Sequence, residues 1–367
     1  MSMVAIVTDT HFGCRNDNPV MHRWQDRFLT DVFFPTLDAH DITTVLHGGD
    51  YGDRRKYASF ATTQFMETRY RARLRERGIH EHVIVGNHDC FLRDSTAINS
   101  IEELYRHDTS LTIYAHPTEI DIDGCGVLLL PWVCGNTRER TLELLRTSSC
   151  PVVLGHLEIE GFQMYRGMPS HEGLSPDLFE RFALVMSGHY HHASQRDPIR
   201  YLGAMWPMVW SDYRDPRGFH LLDTETRELT FIENPYSPLA RLVYDDEKAA
   251  PEYIAEMVSS IVSEQSPYRD AYVKVVVKTR TQPYGFEQVL DALAKVNPQD
   301  IVVIDDIVFD GTEVLDQDAL TTDVDTVSLI REYVEHTTVT CDKIALLTYL
   351  EDLYRESVAS TQSGRIS

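Results

Sequence analysis

"HVIVGNHD", residues 82–89, carries an apolar run straight into Gly86, Asn87, His88 and Asp89. A short run rich in β-branched residues and bounded by glycine reads as a buried strand. An amide, an imidazole and a carboxylate then follow at its end. The same form recurs four times. "MVAIV" (3–7) leads into Asp9 and His11, and "TTVLHGG" (43–49) into Asp50. "PVVLG" (151–155) leads into His156, and "FALVMSG" (182–188) into His189 and His191. Such strands, alternating with helical patterns as far as residue 235, predict an α/β layered domain. "GFHLLDTETRELTFIE" (218–233) alternates on both sides of a polar turn and predicts a closing β-hairpin.

A single histidine at a strand end is ordinary, since a hydrogen-bonded core residue explains it, and Gly-Asn alone fits a turn. Five such ends form a constellation, because parallel strands bring their C-terminal ends to one edge. Asp, Asn and His side chains would converge there on a pocket rich in oxygen and imidazole nitrogen but without thiolate. That donor set suits two divalent ions of the Mn²⁺, Fe²⁺ or Zn²⁺ type. Two ions about 3.5–4 Å apart can activate a water and clamp a phosphoryl group.

Asp-x-His, Gly-Asp, Gly-Asn-His-Asp, His and Gly-His-x-His, in that order, resemble the calcineurin-like metallophosphoesterases. "DTHFG" (9–13) resembles the opening of SbcD-type nuclease subunits of double-strand-break repair nuclease–ATPase complexes. "GDYGDRRK" (49–56), "LPWVCGN" (130–136), "GHLEIEGF" (155–162), "RYLGAMW" (200–206) and "DPRGFHLLDTET" (215–226) resemble the recombination endonuclease subunit of T-even-like bacteriophages. The resemblance covers most of residues 3–235. It implies a two-sheet metallophosphoesterase sandwich flanked by helices, followed by a small α+β capping domain and C-terminal helices. Residue by residue, it implies that Asp9, His11 and His191 bind one ion and Asn87, His156 and His189 the other, with Asp50 bridging. His88 is then free to face substrate as transition-state stabiliser or general acid, and Asp89 orients a neighbour. Asp53 stands where cellular relatives often carry a histidine, which leaves the balance of exonuclease and endonuclease activity open. His47 and His192 read as non-ligands.

A chain of 367 residues is expected to hold two or more domains. "NPYSPLARLVYDDEKAAP" (234–251), Pro-rich and acidic, reads as a boundary. Beyond it, a helix over 251–264, an alternating strand at 272–278, a helix over 284–296 and a strand at 300–306 predict a small α+β domain. The expected limits are 1–235 for the nuclease domain, 236–312 for the DNA-selecting cap, 313–358 for a helical region and 359–367 for a disordered tail. Apolar spacing in 324–335 and 341–358 gives helices with one apolar face. Packing on their own chain accounts for that, while the resemblance implies docking on an SMC-like ATPase subunit.

The net charge of −23 opposes approach to a polyanion. DNA ends, double- or single-stranded, would be held through metal ions, a local basic patch or a basic partner. Basic residues cluster at 54–56 and in "RYRARLRER" (69–77), the latter reading as the solvated face of a helix. The resemblance also implies a homodimer, for which 54–77 or 91–106 would serve. No run of about 18 apolar residues predicts a membrane span. The opening "MSMVAIVTDTHFG" reaches Asp9 and His11 too early for a signal peptide, and the six scattered cysteines fit reduced thiols. A cytoplasmic setting is expected, the host's if the chain is phage-encoded. The leading expectation is a dinuclear, Mn²⁺-dependent DNA exonuclease or endonuclease. A phosphomonoesterase or small-molecule phosphodiesterase, and a non-catalytic scaffold, are the rivals.

Overall fold

Each of the five apolar runs forms a strand: Met3–Val7, Thr44–His47, His80–Ile84, Val152–His156 and Leu184–Gly188. The computed structural model describes residues 2–165, 168–247 and 252–305, with Val334, Lys343, Leu346, Leu347 and Leu350 as isolated positions. The chain divides into two units, Met1–Thr312 and Glu313–Ser367. Within the second unit those isolated positions have helical backbone. The remainder of the helices expected at 324–335 and 341–358, and the tail from 359, lie outside the described residues.

The first unit is built on two six-stranded sheets. One runs in the order Leu229–Glu233, Gly218–Asp223, Met3–Val7, Thr44–His47, His80–Ile84 and Leu111–Tyr114. Its last four strands are parallel, and the hairpin expected at 218–233 pairs antiparallel beside Met3–Val7. The other sheet runs Ser194–Arg196, Ile199–Tyr201, Leu184–Gly188, Val152–His156, Cys125–Leu130 and Thr118–Ile122, with four parallel strands at its centre.

Strand periodicity explains how the layers meet. Alternate side chains of one strand point to opposite faces. Val4, Ile6, Leu46 and Ile84 of the first sheet pack against Val127, Leu129, Val152, Leu154 and Met186 of the second. The intervening residues Ala5, Val7, Val45 and Val83 face helical segments carrying Phe28, Leu29, Phe33 and Leu74. Val153 and Val185 likewise face Leu144, Leu145 and Phe179. Both faces of both sheets are covered, which is why the strands read as unbroken apolar runs. The fold is the expected two-sheet α/β sandwich flanked by helices.

A three-stranded parallel sheet, Leu239–Asp245, Tyr272–Thr279 and Asp300–Asp305, follows it. The helices Tyr253–Val262 and Pro283–Lys295 cover one face through Ile261, Phe286, Val289 and Leu293. Leu239–Asp245 corrects the reading of 234–251 as a boundary passage. Ala240, Leu242 and Tyr244 alternate inward, so the middle of that passage is a strand of the module. The module sits against the sandwich through Trp24, whose indole N–H donates to the Asp270 carbonyl at 3.1 Å, and through Arg15 stacked 4.3 Å from the Tyr272 ring.

The basic run at 69–77 is helical, but Arg71 departs from the solvated face expected of it. It is fully buried and pairs with Glu81 and Asp108. A buried guanidinium needs such partners, because the uncompensated charge would be costly.

Candidate metal centre

The C-terminal ends of the parallel strands open onto a shared set of turns. The loops after Met3–Val7 and Thr44–His47 run side by side, with Asp9, His11 and Phe12 donating backbone N–H groups to the carbonyls of Gly49, Asp50 and Tyr51 at 3.0 Å each. His156, from the second sheet, donates its Nδ1–H to the Gly48 carbonyl at 2.8 Å and so ties the two sheets at this edge. Close approach depends on glycine. A β-carbon at Gly86 would overlap Asp50, and one at Gly49, where φ is +91°, would lie 2.8 Å from His156 Nδ1.

Two groups of donors face each other across Asp50. In the first, His11 Nε2 and His191 Nε2 are 3.0 Å apart, and Asp9 Oδ1 lies 3.9 Å from each. In the second, Asn87 Oδ1 lies 2.7 Å from His156 Nε2 and 2.9 Å from His189 Nδ1. Asp50 Oδ2 stands 3.5 Å from His11 Nε2 and 3.3 Å from His156 Nε2, between the two groups. All seven residues singled out as ligands in the sequence therefore meet at one edge. Four of them, Asp9, His11, Asp50 and His189, hold a left-handed backbone with φ between 39° and 83°. Such conformations cost non-glycine residues of order 1–3 kcal/mol each and persist where surrounding structure enforces them.

The electrostatics fit a cation. Burial lowers the basicity of His11, but Asp53, Asp50 and Asp9 outweigh it and hold the imidazole up to about 9. His156 is likewise depressed by burial yet raised to about 9 by Asp50. Burial opposes ionisation of Asp50, but His156 and His88 keep its carboxyl well below the usual range. Desolvation and the neighbouring charged His11 drive the half-buried His191 well below its ordinary value. The protein thus faces two Nε2 atoms at 3.0 Å, one imidazole holding a proton and the other refusing one, beside two carboxylates. Oxygen and imidazole donors without thiolate are what a borderline divalent ion takes.

His88 lies beside the first group, its ring 4.7 Å from that of His11, and with His11 and Asp53 it forms a third cluster of possible ligands. Its backbone N–H donates to Asp50 Oδ1 at 2.8 Å, and its Nδ1–H donates to the Asp53 carbonyl at 2.7 Å, which leaves Nε2 as a lone pair. Burial lowers its basicity, with Asp50 pulling the other way. Asp89 is a brace: Oδ1 accepts from the Tyr51 and Gly52 amides at 3.0 and 3.1 Å, and Oδ2 from the Gly86 amide at 2.9 Å. Burial and the neighbouring Asp50 raise its carboxyl to about 7. Asp53 Oδ1 lies 3.5 Å from His11 Nδ1, on the side of that ring away from His191.

The two histidines read as non-ligands are engaged elsewhere. His47 Nδ1 accepts from the Gly49 amide at 3.2 Å and Nε2 meets Thr10 Oγ1 at 3.1 Å, while His192 Nδ1 contacts Asp215 at 2.9 Å. Sequence reasoning missed Glu158, whose Oε1 lies 3.1 Å from His189 Nε2, and Trp132, whose indole packs 5.1 Å from the same ring. Both lie inside quoted motifs, in "GHLEIEGF" and "LPWVCGN", and only their place in the fold distinguishes them from neighbours.

The family model for calcineurin-like phosphoesterases matches residues 2–193. Exonuclease subunit 1 of Enterobacteria phage T4 is 36% identical over 229 residues, which cover 62% of this chain and 66% of that protein. A subunit of the SbcCD nuclease of Staphylococcus saprophyticus is 24% identical over 107 residues, covering 27% of this chain and 28% of that protein. The chain thus spans just under two thirds of the phage relative and 28% of the bacterial one. A solved structure of an archaeal phosphodiesterase is 13% identical with a TM-score of 0.31, covering 63% of this chain and 99% of that one.

Proposed function

The chain belongs to the calcineurin-like phosphoesterase family, and from that premise we propose that it is a dinuclear-metal-dependent DNA nuclease acting in recombination, repair and end processing. The observation that carries the dinuclear reading is the place of Asp50 Oδ2, within 3.5 Å of an imidazole nitrogen in each donor group. Asp9, His11 and His191 would hold one divalent ion, and Asn87, His156 and His189 the other, with Asp50 shared. Bound there, two such ions supply Lewis acidity to a water and to the phosphodiester. Mn²⁺ is the ion we assign first.

The protein's own groups do the rest. The Gly48 carbonyl fixes the His156 tautomer, and Asp89 pins the turns that carry Asp50 and Asn87. His88, held by the Asp53 carbonyl, presents Nε2 toward the substrate side. A bound phosphodiester anion would raise the basicity of that ring against the effect of burial, so Nε2 would take a proton from solvent water as substrate binds and could give it to the leaving oxygen.

DNA as substrate is supported by the two nuclease relatives. The acidic chain would need help to hold a polyanion, which supports an SMC-like ATPase partner that docks on the C-terminal helices and contributes a basic surface. In this reading residues 236–312 cap the site and select DNA, the chain works as a homodimer in the cytoplasm, and residues 313–358 carry the partner contact. No described helix is long and apolar enough to cross a membrane.

The test is cleavage of duplex and single-stranded ends with Mn²⁺ against Mg²⁺, with and without the ATPase partner. Mn²⁺-dependent DNA cleavage is expected, stimulated by the partner. Turnover of p-nitrophenyl phosphate esters far above DNA cleavage would make the chain a small-molecule phosphoesterase instead.

A further inference from the structure

Backbone carbonyls fix the tautomer of two histidines of the centre, and His189 is not one of them. His156 gives its Nδ1–H to Gly48, and His88 gives its own to Asp53. At His189 the corresponding partner is a side chain, since Glu158 Oε1 lies 3.1 Å from Nε2 while Nδ1 faces Asn87 Oδ1 at 2.9 Å on the opposite side of the ring. Glu158 reaches this position from the chain just past the strand Val152–His156, parallel neighbour of Leu184–Gly188, so both residues leave adjacent strands at the same edge.

We propose that Glu158 is a positioning residue for the second metal site: it holds His189 as the Nε2–H tautomer and so commits Nδ1 to the cation. The inference rests on the dinuclear reading above. The physical reason is proton accounting. A carboxylate can only accept, so the contact requires a proton on Nε2. A neutral ring then carries a lone pair at Nδ1, which meets the Asn87 oxygen, acceptor against acceptor. At 2.9 Å the two are brought together either by a second ring proton on Nδ1 or by a cation that both coordinate, which takes that proton's place. The hydrogen bond also makes Nδ1 a stronger donor to metal, as outer carboxylates do for ligating imidazoles. Glu158 itself sits on the far side of the ring from Asn87, so it acts through His189.

Other contacts limit what else could set this ring. The His189 backbone, at φ 83°, donates its N–H to the Asp9 carboxylate at 3.1 Å, and Trp132 packs 5.1 Å from the ring. These fix where the imidazole lies but not which nitrogen carries the proton. The Glu158 carboxylate is what calls for the proton on Nε2, and its side chain, 38% exposed, can be replaced without opening the core.

The experiment uses the full chain stripped of metal. The free Mn²⁺ resonance signal is followed as Mn²⁺ is added, for wild type, Glu158→Ala, Glu158→Gln, His189→Ala and the double variant Glu158→Ala/His189→Ala. Wild type is expected to take two ions. Glu158→Ala should keep one and bind the other about 10–100-fold more weakly, the usual cost of losing an outer partner. Glu158→Gln, whose amide oxygen still accepts, should recover most of that loss. In the His189→Ala background the Glu158 change should add nothing, because the residue acts through that ring. Nitrogen NMR of ¹⁵N-histidine protein without metal should show His189 protonated at Nε2 in wild type and the glutamine variant, and a mixture of tautomers in the alanine variant. Unchanged second-ion affinity and tautomer in Glu158→Ala would overturn the proposal, as would an equal loss with and without His189. A wild type that binds fewer than two ions would instead overturn the dinuclear reading, while the tautomer signal, recorded without metal, still decides the Glu158 contact.

Discussion

The strand Val152–His156 is buried at every position, whereas Asp300–Asp305 in the small module is exposed or half-exposed throughout. The difference follows from what covers each sheet. In the sandwich both faces are packed, so a polar side chain inside a strand needs a partner, as Glu81 has in Arg71 and His82 in Tyr114, and the others collect at the strand ends. The parallel order then brings those ends together, and chemistry gathers at one edge. In the module helices cover one face, and charged residues such as Arg241, Lys274 and Lys278 sit along the strands themselves, where nothing makes them converge. Among the described residues, every group of His, Cys, Asp and Glu placed to hold an ion lies in the sandwich. A strand buried on both faces is thus the better builder of a polar site at its end.

The largest test of that contrast is Asp50→Ala. Its carboxylate stands between the two donor groups, so removing it should cost both ions and with them nuclease activity. Lys274→Ala, a charge lost from the module where it stacks 4.2 Å from Trp210, should leave metal content unchanged. Elemental analysis of the purified variants decides the matter. An Asp50→Ala protein that keeps two ions per chain would remove the shared role.

A smaller effect separates two neighbours on one turn. His88→Ser should keep both ions and the fold, since its Nδ1 serves only the Asp53 carbonyl, while cleavage falls by roughly 10²–10⁴, the usual contribution of a general acid–base group. Asn87→Ala should lose activity together with ion affinity, because its oxygen faces both His156 and His189. Raising Mn²⁺ should restore part of the Asn87→Ala rate and none of the His88→Ser rate. Rescue of His88→Ser by metal, with none for Asn87→Ala, would reverse the two assignments.

What the sequence made legible follows the same division. Strands buried on both faces leave continuous apolar runs, and all five ended where their Asp, Asn and His residues begin. Leu239–Asp245 was harder to see because it is covered on one face only. Its outward Arg241, Val243 and Asp245, set between a Pro-rich start and an acidic end, look like connecting chain. Arg71 was hidden for the opposite reason, since helical spacing marks a basic run as surface and cannot reveal that Glu81 and Asp108 wait inside. Glu158 escaped notice because a partially exposed carboxylate is an ordinary surface residue until the fold brings His189, 31 positions later, against it.

The smallest expected effect is on stability in acid, and it sharpens the contrast without touching the centre. The module's described strands and helices contain no histidine, whereas the sandwich holds His82 and His220 on its first sheet. Burial lowers both to about 4, with His80 adding to the effect at His82 and Arg200 at His220. Between the ordinary value near 6.5 and about 4, the unfolded chain binds protons that the folded sheet refuses, so stability is lost as pH falls through that window. The opening constant should rise by at most about tenfold per histidine per pH unit, and by less for His82, which is partly solvated. His11 and His156, held up near 9, add nothing here, because below 6.5 they are protonated in both states. Asp89, held up near 7, takes a proton in the folded state alone and opposes the loss, while His47, held down to about 3 by burial, adds to it. Hydrogen exchange on metal-stripped protein at pH 7 and pH 5, corrected for intrinsic rates, reads the two regions separately. Protection in 80–84 and 218–223 should fall while that in 272–279 holds. A parallel loss in both would mean that sandwich and module open as one cooperative unit.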